Sequence, residues 1–231
     1  MMNILCTICM RGGSKGVPNK NITKIYGKPL LYYTLKQAKD SKLFNKIVVS
    51  TDSSNIFNLS KKYGAECWFK RPKHLSTDKA AKIPVVRHVL IESEKFYKQK
   101  FDIVFDLDVT SPLRTSSDLK NAYKIFMKED SSNLITATPA NKNPYFNQIE
   151  YKKNKYDIVK KLKTFPKRRQ DAPIVYDMNA SIYIWKRKHL LDSNNLFTNK
   201  TSLYIMSQDR SCDIDTNLDL KFVKYIIKSF K

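Results

Sequence analysis

Histidine and glycine are scarce in this chain of 231 residues, which contains three of the former and five of the latter. The histidines form no cluster, so we expect neither a zinc centre nor a serine–histidine catalytic triad. No apolar run reaches the roughly 18–20 residues that a membrane-spanning helix needs. Arg11 and glycines interrupt the first apolar stretch, which does not fit a signal peptide. We therefore expect a cytoplasmic protein without a membrane partner.

Cysteine is also rare, with four residues in the chain, of which Cys6 and Cys9 have the spacing of a metal or redox motif. Both lie in a predicted buried strand, 4–9. Residues three apart on a strand point to opposite faces, so these two side chains cannot converge on one ligand. We interpret them as small buried apolar residues.

Acidic residues are outnumbered 21 to 43 by basic ones, which gives a formal net charge of +22. A basic protein of this kind can bind nucleic acid or anionic substrates. However, only eight of the basic residues are arginine, and the lysines are spread along the chain, as a compositional bias would produce. We expect no nucleic-acid partner, and a basic nucleic-acid-binding protein remains an alternative that predicts strongly salt-dependent binding.

What the chain does contain is a regular alternation of strand and helix patterns, with enough hydrophobic residues (42%) for a large core. This alternation predicts an α/β fold with a mainly parallel sheet and flanking helices. Strands are predicted at 4–9, 46–51, 65–69, 102–108, 134–138, 181–185 and 203–207, and helices at 29–39, 54–63, 83–97, 117–128 and 217–229. We expect a single domain over 1–231, in which 139–173 forms a small hairpin-like insertion.

A glycine-rich loop over 10–21 follows the first predicted strand and holds three of the five glycines. Glycine lets backbone N–H groups approach an anion, and Arg11, Lys15 and Lys20 add positive charge. The loop matches neither the P-loop nor the G-x-G-x-x-G fingerprint. We interpret it as a site for nucleotide phosphates, with a flexible surface loop as the alternative.

Two pairs of aspartates share a spacing that places both members on one face of an extended segment. They are Asp106 with Asp108, and Asp213 with Asp215. Neighbouring carboxylates repel each other unless a cation lies between them, and oxygen ligands beside phosphates suit Mg²⁺. Asp215 could instead be the N-cap of the last predicted helix.

A third candidate feature combines Arg168 and Arg169 with the segment 176–179. Arginine is suited to bidentate recognition of carboxylate or phosphate. The alternative is a basic surface loop.

These stretches together resemble the CMP-sialic acid synthetases, also called acylneuraminate cytidylyltransferases. The most specific motifs are R-x-x-S-K-G-x-P-x-K-N at 11–21, T-S-P-L-R at 110–114 and D-I-D-T at 213–216. The resemblance implies a Rossmann-like nucleotidyltransferase fold whose insertion mediates homodimerisation. It also implies CTP as cosubstrate, Mg²⁺ as cofactor and a nine-carbon keto sugar acid that is converted to its CMP-sugar with release of pyrophosphate.

The same resemblance implies roles for individual residues. The nucleotide would be bound by Arg11, Gly12, Ser14, Lys15, Lys20, Asn21 and Arg71. The sugar side would include Asp108, Thr110, Ser111, Arg169, Asp177 and Asn179. Mg²⁺ would be held by Asp213 and Asp215, and the catalytic residues would be Arg11, Lys20 and Asp215.

The chain departs from the family pattern near the expected sugar site. It has Asp108 where sialic acid synthetases commonly have Gln and Asp177 where they have Arg, and a sugar-side Lys is absent near 144–146. Because these changes add negative charge, we hypothesise a related acid such as legionaminic or pseudaminic acid. Asp108 could alternatively be an extra Mg²⁺ ligand. Another NTP or a shorter keto sugar acid is an alternative substrate.

Overall fold

The computed structural model describes residues 2–13 and 16–229 of the chain. Strands within this part are β1 (Ile4–Cys9), β2 (Lys24–Ile25), β3 (Lys28–Pro29), β4 (Lys46–Ser50), β5 (Ile103–Leu107), β6 (Asn133–Pro139), β7 (Ile149–Lys152), β8 (Lys155–Ile158), β9 (Tyr176–Met178), β10 (Ile182–Lys186) and β11 (Thr201–Ile205). Helices are α1 (Leu30–Ser41), α2 (Ser54–Lys62), α3 (Lys82–Tyr97), α4 (Ser116–Lys128), α5 (Arg187–Asp192) and α6 (Asn217–Ser229).

The central sheet has the strand order β11-β6-β10-β5-β1-β4, and β9 pairs with the end of β6. β1 is parallel to β4 and β5, and β11 is parallel to β6. β10 is antiparallel to both neighbours, and β9 is antiparallel to β6. The predicted α/β fold with a mainly parallel sheet is therefore confirmed.

Helices cover both faces of this sheet because the core strands are apolar on both sides. In β1, Ile4, Cys6 and Ile8 pack into the core beneath α1, α4 and α6. Leu5 packs into the second core, which lies beneath α3 and α5. Cys9 packs against the second core, whereas Cys6 belongs to the first, so the two thiols lie on opposite faces as predicted and both are free.

Local signals explain several helix ends. Ser53 accepts a hydrogen bond from the backbone N–H of Ile56 and caps α2, while Gly64 follows that helix with φ of 72°. A left-handed residue after a helix is a common stop signal, and glycine adopts it without steric cost. At α6, Thr216 and Asp219 exchange hydrogen bonds like an N-terminal capping box. Thr216, rather than Asp215, therefore caps this helix.

The predicted strand over 65–69 is wrong. The segment makes a single parallel bridge, between Val48 and Glu66, at the outer edge of the sheet. Trp68 and Phe69 instead pack with α3 as a small aromatic cluster. The prediction also missed the short elements β2, β3, β9 and α5, because two to six residues are too few to show a period.

The insertion over 139–173 contains an antiparallel hairpin of β7 and β8, as the sequence pattern predicts. Its apolar side chains are largely exposed, with Tyr156 at 73% and Ile149 at 67%. Ile174, just after the insertion, is 80% exposed. In the described part of the chain, no helix combines the length and apolar character that crossing a membrane requires.

Candidate active site

The carboxyl ends of β1 and β5 open into one cleft of about 360 Å³, which we call the central cleft. Its wall brings together seven of the residues that the sequence singled out. They are Arg11, Lys20, Asn21, Asp108, Thr110, Asp213 and Asp215. Ligands of parallel α/β sheets bind at this edge, because strand ends and helix starts leave polar groups there.

The glycine-rich loop enters the cleft directly after β1. Arg11 forms an ion pair with Asp78, and the backbone N–H of Gly12 donates to Asp52 at 2.8 Å. Asn21 is buried and donates from Nδ2 to the carbonyl of Arg11 at 3.1 Å. The carboxylate of Asp78 thus neutralises Arg11, and the carboxylate of Asp52 accepts a hydrogen bond from Gly12. Both Arg11 and Gly12 are residues that the sequence assigns to nucleotide binding. Ser14 and Lys15 lie outside the described residues.

The far end of the loop lies against the segment that carries the second aspartate pair. A Cβ on Gly16 would lie only 2.1 Å from the backbone carbonyl oxygen of Asp215, so this contact requires glycine. Lys20 donates from Nζ to the carbonyl of Ile214 and also pairs with Asp215 Oδ1 at 3.0 Å. One lysine therefore ties the cationic loop to the acidic segment.

Asp213 contributes a carboxylate oxygen, Oδ1, that is buried and has no hydrogen-bond partner among the described residues. Burial, together with the charges of Asp108 and Asp215, raises the pKa of Asp213 to about 6. An unpartnered buried oxygen on an anion is costly unless a cation or donor satisfies it. The donor chemistry of Asp213 and Asp215 thus fits Mg²⁺, which prefers carboxylate oxygen.

Along 2–13 and 16–229, including the central cleft, no three histidine, cysteine, aspartate or glutamate side chains group closely enough to hold a metal on their own. A magnesium ion at this pair would therefore take its other ligands from water or phosphate, as Mg²⁺ commonly does. Because Thr216 caps α6, Asp215 is left to face the cleft.

The first aspartate pair has different surroundings. Lys82, the first residue of α3, places Nζ 2.9 Å from Asp106 Oδ2 and 3.3 Å from Asp108 Oδ2. Burial alone would lower the pKa of Lys82, but the two carboxylates outweigh it and raise that pKa. For Asp108, burial acts to raise the pKa, yet Lys82 and the hydrogen bonds from Thr110 bring it below its usual value. Asp108 is therefore held ionised by a cation of the chain itself.

Two buried arginines hold the backbone around the cleft in place. Arg71 donates to the carbonyls of Met10 and Ser50, at 3.1 and 2.6 Å. Arg114 is 2% exposed and donates to the carbonyls of Asp108 and Ser181, at 3.1 and 2.5 Å. Arg71 was expected to contact the nucleotide; its guanidinium instead fixes the end of β1, and a nucleotide contact stays a prediction.

The remaining predicted sugar-side residues do not line the central cleft. Ser111 and Asn179 are buried and hydrogen-bonded to each other through Ser111 Oγ and the Asn179 carbonyl, at 3.2 Å. Asp177 is exposed on β9. Arg169 lines a separate cavity of about 410 Å³ and donates to the carbonyl of Ala140. A contact of these four residues with the same ligand as Asp108 therefore stays a prediction.

Sequence reasoning missed Lys82 as a member of the site. One lysine among many in a basic chain carries no signal, and its position beside Asp106 depends on how α3 packs over β5. Arg114 belongs to the T-S-P-L-R motif, but the sequence predicts no role for its side chain. Its burial next to Asp108 shows that it supports the cleft instead of contacting an open surface.

A doubly wound sheet with a cationic loop and carboxylates at one edge defines a nucleotide-binding transferase, since such a site neutralises phosphates and can hold a metal beside them. The chain belongs to the cytidylyltransferase family: the family model described as Cytidylyltransferase matches residues 5–228. It is therefore a nucleotidyltransferase, and the resemblance deduced from the motifs is confirmed.

Two curated relatives match nearly the whole chain. The CMP-N,N'-diacetyllegionaminic acid synthase of Campylobacter jejuni is 51% identical over 98% of this chain and 96% of its own length. The pseudaminic acid cytidylyltransferase of the same organism is 35% identical, over 98% and 97% of the two chains. A structure of CMP:2-keto-3-deoxy-manno-octonic acid synthetase complexed with CTP has a TM-score of 0.74 and 14% identity, with 99% and 100% of the chains covered. That structure supports the fold alone.

Proposed function

We propose that this protein transfers the CMP group of CTP to a nonulosonic sugar acid of the legionaminic acid type and releases pyrophosphate. The observation that carries the proposal is the central cleft, where Arg11 and Lys20 face Asp213 and Asp215. The relative at 51% identity is a CMP-N,N'-diacetyllegionaminic acid synthase. The activity that this name states agrees with the residues Asp108 and Asp177, at which this chain departs from the pattern of the sialic acid synthetases.

In this proposal the cationic loop binds the triphosphate. Arg11 exchanges Asp78 for phosphate oxygens, and Lys20 reaches the phosphates from its position beside Asp215. Fixed cations of this kind stabilise the charge that develops on the phosphate oxygens and on the leaving pyrophosphate. Arg71 and Asn21 keep the loop backbone in place through their bonds to the carbonyls of Met10 and Arg11.

Asp213 and Asp215 would hold Mg²⁺, which supplies Lewis-acid stabilisation of the reacting phosphate when bound. The anomeric hydroxyl of the sugar acid attacks the α-phosphorus in line, and Asp215 accepts the hydroxyl proton. Thr110 and Asp108 also line the central cleft, where they present oxygen atoms to the sugar acid. No histidine is needed, because phosphoryl-type transfer depends mainly on positioning and electrostatics.

We further propose that the protein is a cytoplasmic homodimer that associates through the insertion. The exposed apolar side chains of the hairpin, including Ile149 and Tyr156, favour a protein partner over water. Arg169 lies outside the central cleft of its own chain. A sugar-acid contact for Arg169 therefore requires another subunit or a rearrangement of the insertion, and sedimentation of Tyr156→Asp against the unchanged protein tests the dimer.

The decisive experiment measures pyrophosphate release with CTP, Mg²⁺ and a panel of acids. The panel contains N,N'-diacetyllegionaminic, pseudaminic and N-acetylneuraminic acids and the eight-carbon 2-keto-3-deoxyoctonic acid. We expect the highest kcat/KM with the legionaminic acid and with CTP over ATP, GTP and UTP. Preference for N-acetylneuraminic acid, for the eight-carbon acid or for another NTP would overturn the substrate assignment.

A further inference from the structure

Lys82 is an internal cation at the edge of the central cleft. Its ammonium lies within 2.9 Å of Asp106 Oδ2 and 3.3 Å of Asp108 Oδ2, and 4.7 Å from the centre of the Tyr183 ring. Asp106 is only 1% exposed, and Tyr183 is its register partner on β10. The ammonium is thus held on three sides by groups that favour a positive charge.

With Lys82 in place, every carboxylate oxygen of this first aspartate pair has a partner. Asp106 Oδ1 accepts from Thr7 Oγ1 at 2.7 Å. Asp108 Oδ1 accepts from the Thr110 backbone N–H at 3.2 Å and from its Oγ1 at 2.9 Å. Asp213, by contrast, keeps a buried oxygen for which residues 2–13 and 16–229 offer no hydrogen-bond partner.

We propose that Lys82 takes the place of a second cation beside Asp108, so that the central cleft binds a single divalent metal ion, at Asp213 and Asp215. Lys82 is on this view a positioning residue, which keeps Asp108 ionised and directed into the cleft. The inference rests on the proposed Mg²⁺-dependent function.

Electrostatics explains why the two cations exclude each other. A divalent ion on Asp108 would sit next to an ammonium that is anchored to buried Asp106, and like charges at that distance repel strongly in a desolvated site. Lys82 cannot withdraw without leaving Asp106 buried and unpaired, which is costly. Lys82 therefore blocks the site beside Asp108 at all times, whereas a metal ion at Asp213 can bind and dissociate.

The test counts bound metal directly. Each protein is titrated with Mn²⁺ alone, and free Mn²⁺ is measured by electron paramagnetic resonance. We expect one bound Mn²⁺ per chain for the unchanged protein, one for Asp108→Asn, none for Asp213→Asn and two for Lys82→Met. Two ions on the unchanged protein would overturn the proposal, as would a single ion on a Lys82→Met variant with a native circular dichroism spectrum.

A further variant keeps the proposal testable should Lys82→Met fail to fold. Lys82→Arg keeps a cation and should still bind one Mn²⁺, so a second ion there would contradict the proposal. In the pyrophosphate assay, Lys82→Met should need about tenfold more Mg²⁺ for half-maximal rate, and high Mg²⁺ should restore its turnover; a purely structural lysine would show no such rescue. Failure of the proposed function would appear separately, as an unchanged protein that releases no pyrophosphate with any acid of the panel.

Discussion

Two aspartate pairs of identical spacing lie at the central cleft in different surroundings, and of their four members only Asp106 is buried behind its wall. Asp106 and Asp108 share an ammonium from Lys82, and all their oxygens are hydrogen-bonded. Within the part of the chain that the structure describes, Asp213 has a buried oxygen without a hydrogen-bond partner, and Asp215 pairs with Lys20. Each pair thus has one lysine, but the fold satisfies every oxygen of the first pair and leaves one buried oxygen of the second without a partner among the described residues.

The difference teaches that the spacing of acidic residues does not by itself identify a metal site. Both pairs satisfy the pattern, but neighbouring cations decide which carboxylates remain available. The surroundings therefore decide what each pair can do. Asp106 and Asp108, the saturated pair, have all their oxygens hydrogen-bonded and support the wall of the cleft. Asp213 and Asp215, the unsaturated pair, can bind a divalent ion.

The largest expected effect comes from disabling the unsaturated pair. Asp213→Asn should lower kcat by about 10³-fold, or about 4 kcal/mol, because the metal that stabilises the transition state loses a charged ligand. Stopped-flow or steady-state pyrophosphate release measures it. Asp40→Asn, in an exposed helical ion pair with Lys36, serves as the control and should change kcat less than twofold; an equal loss in both variants would contradict the assignment.

Breaking the saturated pair should instead lower stability. Asp106→Asn leaves the Lys82 ammonium without its buried partner, so the free energy of unfolding should fall by about 3 kcal/mol. Urea denaturation measures the change. Because the double variant Lys82→Met with Asp106→Asn removes both charges, it should recover most of the loss. A double variant as unstable as Asp106→Asn would show that the pair is not electrostatically coupled.

In metal-free protein the unsaturated pair should cost stability. The pKa of Asp213 is raised to about 6 in the folded state, so the unfolded chain ionises this group more easily. The penalty is absent below the unfolded pKa, near pH 4, grows as the pH rises to about 6 and is complete above that. Asp213→Asn should therefore raise the free energy of unfolding at pH 7.5 by about 2 kcal/mol. The gain should shrink towards pH 4, and a destabilised variant at pH 7.5 would be inconsistent with this account.

The smallest effect concerns pH and metal affinity. Since Asp213 must lose its proton to bind a cation, the affinity for Mn²⁺ should be constant above pH 7 and fall about tenfold per pH unit below about 6. Isothermal titration calorimetry at pH 5, 6, 7 and 8 measures this. Equal affinities at pH 5 and 7 would mean that Asp213 is not a ligand.

Much of the fold could be predicted from the sequence, because long strands and helices carry strong periodic signals. The helix over 83–97 and the strand over 102–108 agree with α3 and β5 within one residue at each end. The strand over 65–69 failed because its aromatic residues, typical of strands, serve to pack against α3. Elements of two or three residues, such as β9, are fixed by tertiary pairing and leave no local pattern.

The site was predictable where its residues share a motif and unpredictable where tertiary packing assembles it. The loop, Asp108 and the late aspartates were found by motif and do meet in one cleft. Lys82 was missed because nothing in the sequence distinguishes it from other lysines. Arg169 and Asp177 were grouped with Asp108 by resemblance, but neither lines the central cleft, since Arg169 lines a separate cavity and Asp177 is exposed on β9.

The close approach of Gly16 to the backbone of Asp215 has a thermodynamic consequence. The cationic loop and the segment of the second aspartate pair share this contact surface, so ordering either one favours the other. Under the proposed function, CTP would order the loop and the divalent ion the segment, and linkage then requires that each tighten the binding of the other by the same factor. The two ligands would be coupled through the protein as well as through their own opposite charges.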